Sequence, residues 1–233
     1  MLAARGYQVT GVDVDPAVVD TINAGGIHIV EPDLLAFVRA SVQSGRLRAA
    51  TQPVAADLFI LCVPTPFIDG PSGPEPDLRY VVDATRAIAD QVRPGNRIIL
   101  ESTSPVGTTE QVRSVLQESG VDVSQVHIAH CPERVLPGRI MTELLDNDRV
   151  VGGLTPEATR EVAAFYRSFV RGAVLETDAR TAELCKLTEN SFRDVNIAFA
   201  NELSMIADRE GIDVSTLIRL ANRHPRVNIL QPG

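Results

Sequence analysis

The stretch Leu58-Phe59-Ile60-Leu61-Cys62-Val63 is an unbroken apolar run, and it ends at Pro64-Thr65-Pro66. Because no polar residue interrupts it, the run is typical of a strand that is covered on both faces, as in a parallel sheet. Outward from it, further strands are predicted at residues 8–12, 97–101, 127–130 and 150–152. Helical patterns lie between them, at residues 16–24, 33–44, 79–92, 109–119 and 156–169. This alternation predicts an α/β fold in which crossover helices flank a parallel sheet.

The composition changes near Thr177. Residues 179–210 contain neither proline nor glycine, and their pattern predicts a single helix of about 30 residues and ~45 Å. Because one small domain does not easily cover such a helix, we expect it to pack against a second domain or a partner subunit. We therefore predict two domains, residues 1–176 with the sheet and residues 177–233 with the long helix of an all-α dimerisation domain. A Pro/Gly-rich stretch at residues 69–77 is expected to be an exposed loop.

The composition excludes several classes of protein. The 233 residues carry a net charge of −8, with a pI of about 5.0, whereas general nucleic-acid binders have a basic surface. No apolar run approaches the roughly 20 residues of a membrane span, and residues 1–6 do not have the pattern of a signal peptide. The three cysteines are too far apart for a disulfide framework or a zinc site. We therefore expect a cytoplasmic protein that binds neither nucleic acid nor a membrane.

Residues 6–16, Gly-Tyr-Gln-Val-Thr-Gly-Val-Asp-Val-Asp-Pro, have the pattern of a strand that ends in an acid and is followed by a helix. The second strand of a Rossmann-like dinucleotide domain ends in this way, and its carboxylate accepts hydrogen bonds from the adenosine ribose. An acid at this place favours NAD over NADP, since a 2′-phosphate would meet a like charge. The alternative is that Asp13 and Asp15 only cap the helix. We assign capping to Asp15, which precedes Pro16, and the ribose role to Asp13.

The glycine-rich phosphate loop of such a domain is expected about 20 residues before this acidic strand. Only seven residues precede Gln8, and residues 2–6 predict the last turn of a helix with Gly6 as its C-cap. The diglycines Gly25-Gly26 and Gly152-Gly153 lie in other contexts. We therefore expect the phosphate loop and the first strand to lie outside these 233 residues.

Hydroxyl-bearing residues follow two of the predicted strands. Thr65 follows the first, and Ser102, Thr103 and Ser104 follow the strand at residues 97–101. Open α/β sheets bind ligands at the carboxyl ends of their strands, so these hydroxyls can contact a cofactor or a substrate. For Ser102 and Ser104, capping of the following helix is an equally good interpretation.

A carboxylate follows the strand at residues 127–130, within the sequence Cys131-Pro132-Glu133-Arg134. A partly buried carboxylate just beyond a strand can act as a general base. A salt bridge between Glu133 and Arg134 is the alternative.

Three polar residues share one face of the predicted long helix. Lys186 and Asn190 are four residues apart, and Arg193 continues their stripe. An ammonium group beside an amide can stabilise a developing oxyanion. The alternative is a solvated stripe in which Lys186 pairs with Glu183 or Glu189.

Five strings occur in one order along the chain. They are Gly-Val-Asp-Val-Asp at 11–15, Val-Pro-Thr-Pro at 63–66, Glu-Ser-Thr-Ser-Pro-Val-Gly at 101–107, Cys-Pro-Glu-Arg-Val-Leu-Pro-Gly at 131–138 and Cys-Lys-Leu-Thr-Glu-Asn at 185–190. Together they resemble the UDP-glucose/GDP-mannose dehydrogenase family over essentially the whole chain. Residues 133–153 and 181–233 carry the finer resemblance, to members that act on UDP-N-acetyl-D-mannosamine.

The resemblance implies a reaction and a role for each matching residue. A UDP-sugar is oxidised at C6 from an alcohol to a carboxylate with two NAD and one water, through a thiohemiacetal and a thioester on a cysteine. Asp13 is expected at the cofactor ribose, with Thr65 and Thr103 along the cofactor and Thr103 also beside the reactive water. Glu133 is expected as general base. The remaining expectations are an oxyanion site at Lys186 and Asn190, further substrate contacts from Arg134 and Arg193, and an Arg226 that reaches the substrate of the partner in a homodimer built on the long helix.

The resemblance also sets limits. Relatives that act on UDP-glucose tend to carry a glutamate four positions after the equivalent of Glu133, where this chain has Pro137. The family's catalytic cysteine lies in a glycine-rich segment that we expect just beyond Gly233. We expect Cys62, in a buried strand, and Cys131 and Cys185 to be core residues, so this chain alone should show negligible turnover.

Two other functions fit parts of the sequence. A β-hydroxyacid dehydrogenase also combines a Rossmann-like domain with a helix that carries lysine and asparagine four residues apart, but the string at 131–138 argues against it. A non-catalytic chain that dimerises through the long helix and binds nucleotide weakly is the second alternative.

Overall fold

A computed structural model describes residues 1–71 and 73–233, and these form two compact units, Met1–Leu184 and Cys185–Gly233. The strands of the first unit are β1 (Val9–Val12), β2 (Leu47–Ala50), β3 (Leu58–Leu61), β4 (Phe67–Gly70), β5 (Gly73–Pro76), β6 (Arg97–Leu100), β7 (His127–His130), β8 (Arg149–Gly153) and β9 (Val174–Asp178). Its helices are α1 (Pro16–Asn23), α2 (Leu34–Gln43), α3 (Arg79–Ala89), α4 (Thr108–Glu118), α5 (Ile140–Asp146) and α6 (Pro156–Arg167). The predicted α/β fold is confirmed, with helix and strand bounds that differ from the predicted ones by a few residues.

The strands form a five-stranded sheet and two smaller ones. The five-stranded sheet has the order β3-β6-β7-β8-β9, and β1 pairs with β2 in parallel. Within the larger sheet β3, β6 and β7 are parallel, whereas β8 runs antiparallel to β7. The sequence predicted parallel strands throughout, and an apolar run such as Val150-Val151 does not encode the direction in which a strand runs.

The Pro/Gly-rich stretch at residues 69–77 is not an irregular loop. Apart from Ser72, which lies outside the described residues, it contributes to an antiparallel hairpin of β4 and β5. Most residues of this hairpin are exposed, as predicted, while Asp77 just after it is buried.

The core lies on both faces of the five-stranded sheet. On one face, α3 and α4 cover Phe59, Leu61, Ile98, Leu100 and Ile128. On the other face, α6 covers Ile99, Ala129, Cys131 and Val151. Both faces are apolar because helices cover them, which is why the inner residues of these strands, such as Ile98-Ile99-Leu100, are apolar without alternation.

Two glycines have roles that the backbone requires. Gly6 ends the short 3-10 turn Leu2–Arg5 with a φ of 98°, which agrees with the predicted glycine cap. At Gly152 of β8, a Cβ atom would meet the carbonyl of Asp178 and would stand 2.8 Å from Cβ of Ala182. The chain entering the long helix therefore packs directly on the backbone of β8.

The long helix α7 spans Ala179–Arg209, as predicted from residues 179–210. Asp178 caps it, because its carboxylate accepts hydrogen bonds from the backbone N–H and the hydroxyl of Thr181. The second unit contains the larger part of α7 and α8 (Val214–Ala221), with Ala200, Ala207 and Ile218 buried. No helix among the described residues is long and apolar enough to cross a membrane.

Candidate functional site

The polar loops identified in the sequence lie at the carboxyl ends of β1, β3, β6 and β7. At the end of β1, Asp13 is half-buried and accepts a hydrogen bond at 2.9 Å from the backbone N–H of Asp15. Asp15 in turn accepts one from Ala17 at the start of α1, so its predicted capping role is confirmed. A carboxylate has about four acceptor positions, so the contact with Asp15 leaves Asp13 able to accept the hydroxyls of a ribose.

Side chains join the loops after β3 and β6 directly. The hydroxyl of Thr65 donates to the carbonyl of Thr103 at 2.7 Å. The hydroxyl of Ser102 accepts from the N–H of Val63 and donates to its carbonyl, both at 2.8 Å. Ser104 donates to the carbonyl of Ser102. The capping interpretation of the two serines is therefore wrong, because both hydroxyls stabilise the loops instead.

The cap of α4 comes from a residue 74 positions away in the chain. The Glu183 carboxylate accepts hydrogen bonds from the backbone N–H groups of Gly107 and Thr109, both at 2.7 Å, and from the Thr109 hydroxyl at 2.6 Å. Glu183 is 1% exposed. The sequence interpretation that pairs it with Lys186 is wrong, since both carboxylate oxygens of Glu183 bind the start of α4, where a helix favours negative charge.

Glu133 lies just beyond β7 and contacts a buried arginine that the sequence analysis missed. Nη1 of Arg149 is 3.2 Å from Oε1 and 3.1 Å from Oε2 of Glu133. The Arg149 side chain is 2% exposed, whereas that of Glu133 is 33% exposed. The backbone N–H of Arg134 also donates to Glu133, at 2.6 Å. The carboxylate thus has a buried cation on one side and solvent on the other.

Behind this pair, three side chains form a row across β3, β6 and β7. The registers Leu61–Leu100 and Leu100–His130 place Cys62, Glu101 and Cys131 next to one another, one residue beyond the strand ends. The Cys62 thiol donates to Glu101 at 3.4 Å, and the buried Tyr166 hydroxyl donates to the other carboxylate oxygen. Burial raises the pKa of Glu101, and the hydrogen bond from Tyr166 opposes that shift.

Cys62 and Cys131 have environments that disfavour the reactive thiolate. Burial, followed by the charge of Glu101, raises the pKa of Cys131 to about 12. Loss of solvent around its sulfur and the charge of Glu101 also raise the pKa of Cys62. The expectation that Cys62 is buried is wrong, because it lies past the end of β3 and is exposed. Cys185 is half-buried, and its thiol lies 3.7 Å from Glu189.

The oxyanion candidates belong to the second unit. Lys186, Asn190 and Arg193 all lie on α7, at the spacing that places them on one helix face. Lys186 is half-buried, and the other two are exposed.

Arg226 is exposed in the segment after α8. The side-chain amide of Asn222 fixes this segment, because it donates to the carbonyl of Ile229 at 2.9 Å and accepts from its N–H at 2.7 Å. Asn222 was not predicted, because an asparagine clamp has no recognisable spacing.

Residues 1–170 match the NAD binding domain of the UDP-glucose/GDP-mannose dehydrogenase family, and residues 180–233 match its central domain. The chain belongs to this family. The resemblance in the five strings is confirmed, and NAD is the cofactor of the domain that residues 1–170 match.

Individual relatives are similar to the chain over nearly its whole length. The chain is 56% identical over 242 residues to an NDP-N-acetyl-D-galactosaminuronic acid dehydrogenase of Ralstonia nicotianae, and 55% identical over 240 residues to a UDP-N-acetyl-D-mannosamine dehydrogenase of Escherichia coli. These alignments cover 100% and 99% of this chain. The solved UDP-D-ManNAc dehydrogenase of Pyrococcus horikoshii is 42% identical with a TM-score of 0.92 over 99% of this chain. The chain spans 56% of the length of each of these three proteins.

Proposed function

We propose that this chain forms the NAD-binding and central parts of a UDP-N-acetyl-D-mannosamine 6-dehydrogenase, which oxidises the sugar C6 alcohol to a carboxylate for a surface polysaccharide. We place the division between the two parts at residues 176 and 177, ahead of α7, whereas the compact units of the fold divide at residues 184 and 185, within that helix. The observation that carries the proposal is Glu133, a half-buried carboxylate at the ligand edge of the sheet, beside loops rich in hydroxyl groups. Relatives with this substrate in their names are about 55% identical to the chain.

The cofactor binds along the carboxyl ends of β1, β3 and β6. When bound, NAD supplies the hydride acceptor of each oxidation step. Asp13 accepts the ribose hydroxyls, and Thr65 and Thr103 line the cofactor. Because Thr65 and Thr103 are joined at 2.7 Å, the two loops hold a common position. The Thr103 hydroxyl also orients the water that enters in the last step.

Glu133 removes protons during the oxidation and the hydrolysis. Its carboxylate is accessible to a substrate hydroxyl or a water, because one third of the side chain is exposed. Arg134, next to it in the chain, binds substrate. A base is useful here because each two-electron oxidation, first of the alcohol and then of the thiohemiacetal, releases a proton together with the hydride.

Substrate contacts in the second unit come from one helix face and one loop. Lys186 and Asn190 stabilise the oxyanion that develops at C6, and Arg193 binds the substrate further along α7. Arg226 contributes to the substrate of a second copy of the chain, since the clamp by Asn222 presents it in an exposed segment.

A homodimer through α7 is part of the proposal. Phe192, Val195 and Phe199 are more than half exposed and recur at helical spacing, so they form an apolar stripe along α7. Sedimentation should show a dimer, and Phe199→Glu should shift it to the monomer. A monomeric wild-type protein would contradict this part of the proposal.

Other nucleotide sugars are weighed as substrates by the relatives and by the residue at position 137. The 56% identity to an NDP-N-acetyl-D-galactosaminuronic acid dehydrogenase makes a galacto-configured substrate the second candidate. UDP-glucose is disfavoured because Pro137 replaces the glutamate that relatives acting on it tend to carry.

We also propose that the 233 residues by themselves turn over negligibly, as a nucleotide-binding and dimerising fragment would. None of Cys62, Cys131 and Cys185 lies in a glycine-rich segment, and burial and the charge of Glu101 raise the pKa of the first two. NADH production by the purified 233-residue polypeptide would contradict this proposal.

The test uses the product of the complete reading frame that encodes this chain. NADH absorbance is followed with UDP-N-acetyl-D-mannosamine, its N-acetyl gluco and galacto counterparts, and GDP-mannose. We expect the highest kcat/KM with the first and a loss of about a hundredfold or more in Glu133→Gln, as for removal of a general base. No NADH with any of these sugars from a folded protein would refute the proposal, and preference for another sugar would change the substrate only.

A further inference from the structure

We propose that Arg149 is a positioning residue, which holds the Glu133 carboxylate in the orientation required for proton removal. This inference rests on the proposed function, and it concerns a residue to which the sequence analysis assigned no role.

The reversed direction of β8 brings Arg149 to the ligand edge. In a parallel sheet the first residue of a strand lies at the edge opposite to the ligand site. Because β8 is antiparallel to β7, its first residue, Arg149, lies beside the carboxyl end of β7 instead. The register that pairs His130 with Gly152, extended by three residues along each chain segment, places Arg149 opposite Glu133.

The contacts of Arg149 are directional. Its Nη1 lies within 3.2 Å of both oxygens of Glu133, and its Nη2 donates to the carbonyl of Leu144 at 3.3 Å. The guanidinium carbon lies 5.6 Å from the centre of the Tyr166 ring, in the arrangement of a cation–π contact. The guanidinium is thus constrained on three sides, and its Nη1 can hold both carboxylate oxygens of Glu133 in place.

A buried arginine costs free energy of folding, so its presence here calls for a functional reason. Arg149 is 1% exposed, and its Nε makes no hydrogen bond within the described part of the chain. An apolar residue would fill the same space without an unpaired donor or a desolvated charge. Glu133, in contrast, remains 33% exposed, so the buried cation fixes a carboxylate that ligands can reach.

The test is a double-mutant cycle in the product of the complete reading frame. Arg149→Lys keeps the charge but loses Nη2, which donates to Leu144 and orients the group, and Arg149→Met keeps much of the volume but loses the charge. Both are combined with Glu133→Gln. Arg97→Lys is the matched control, because Arg97 also begins a strand and pairs with a glutamate, Glu161 at 2.7 Å, but lies at the opposite edge of the sheet.

We expect Arg149→Lys to lower kcat about tenfold and Arg149→Met about a hundredfold, as small misplacements of a catalytic group do. The KM for NAD should change less than about twofold, since Arg149 does not contact the proposed cofactor groups. In the Glu133→Gln background, Arg149→Lys should change kcat less than about twofold, because the group that it positions is already lost.

Two results would overturn the inference while leaving the proposed function intact. One is a loss of kcat in Arg149→Lys that persists undiminished in the Glu133→Gln background, which indicates a general structural role. The other is a kcat for Arg149→Lys that equals the kcat of the control Arg97→Lys, which would show that Arg149 has no particular role in the reaction. If Arg149→Met does not fold, the cycle with Arg149→Lys alone still tests whether Arg149 acts through Glu133. A folded wild-type protein without activity would instead refute the proposed function, and the inference with it.

Discussion

Replacement of Gly152 by alanine tests the close packing between β8 and the entry to α7. The new Cβ would stand 2.5 Å from the carbonyl carbon of Asp178, still closer to its oxygen, and 2.8 Å from Cβ of Ala182. The first two are backbone atoms, which cannot move aside as the end of a flexible side chain can. Asp178 also caps α7 through Thr181, so its displacement weakens the start of that helix.

The magnitude follows from these two effects. Overpacking a close contact costs about 1–3 kcal/mol, and a disturbed N-cap adds about 1 kcal/mol. We expect Gly152→Ala to lower the free energy of unfolding by about 3 kcal/mol, which for a chain of this length lowers Tm by roughly 10 °C. Thermal and urea unfolding followed by circular dichroism measure both values.

Gly11→Ala is the matched control in another strand. A Cβ at Gly11 would meet only the carbonyl oxygen of Arg48, at 4.0 Å. Its stability should therefore stay within about 0.5 kcal/mol of the wild type. Equal midpoints for Gly152→Ala and Gly11→Ala would show that β8 and the entry to α7 are not packed as described.

Three further predictions concern buried polar groups. Glu183→Gln should destabilise the protein by about 2 kcal/mol in urea unfolding, since an amide cannot accept all three hydrogen bonds that the carboxylate accepts; an unchanged midpoint would contradict the cap of α4. Burial lowers the pKa of His130 to about 4 from an ordinary value near 6.5. The free energy of unfolding is therefore unaffected by this group above pH 6.5, where the imidazole is neutral in both states. As the pH falls from 6.5 towards 4, protonation of the unfolded state lowers the free energy of unfolding by up to about 1.4 kcal/mol per pH unit. His130→Phe should flatten this slope in unfolding curves measured between pH 7 and 4, and a slope equal to that of the wild type would assign it to other groups. A thiol reagent at pH 8 should leave Cys131 unmodified in the folded protein and should modify Cys62 slowly. Mass spectrometry of the labelled peptides measures both rates. Fast labelling at either residue would contradict the raised thiol pKa values.

The central strands were predictable because both of their faces are covered. β3 is apolar throughout, and the inner residues of β6 and β7 are apolar between polar ends, so that their bounds were predicted within two residues. The prediction missed β2, Leu47–Ala50, and β9, Val174–Asp178. These are edge strands with polar residues among the apolar ones, so their sequences resemble those of loops.

The candidate site was predictable where it follows from strand ends. Asp15, Thr65 and Glu133 lie where the sequence placed them, at the carboxyl ends of β1, β3 and β7. Arg149 and Glu183 were missed or misread because their partners are 16 and 74 residues away, and no spacing rule links such pairs. An arginine directly before the apolar run Val150-Val151 was the one available signal, since a charge at the start of a buried strand requires a partner.

The reversed direction of β8 has a consequence for how this protein can change. Residues 131–148 leave and re-enter the sheet at the same edge, so this segment forms an excursion above the site and does not cross a face of the sheet. Buried Glu31 holds it in place by accepting hydrogen bonds from the N–H groups of Gly138 and Ile140, both at 2.8 Å. Insertions and substitutions in such a segment leave the strand order and the covering helices intact. The part of this segment beyond Gly138 can therefore vary, or be exchanged in engineered variants, while Glu133 and the sheet beneath it stay the same.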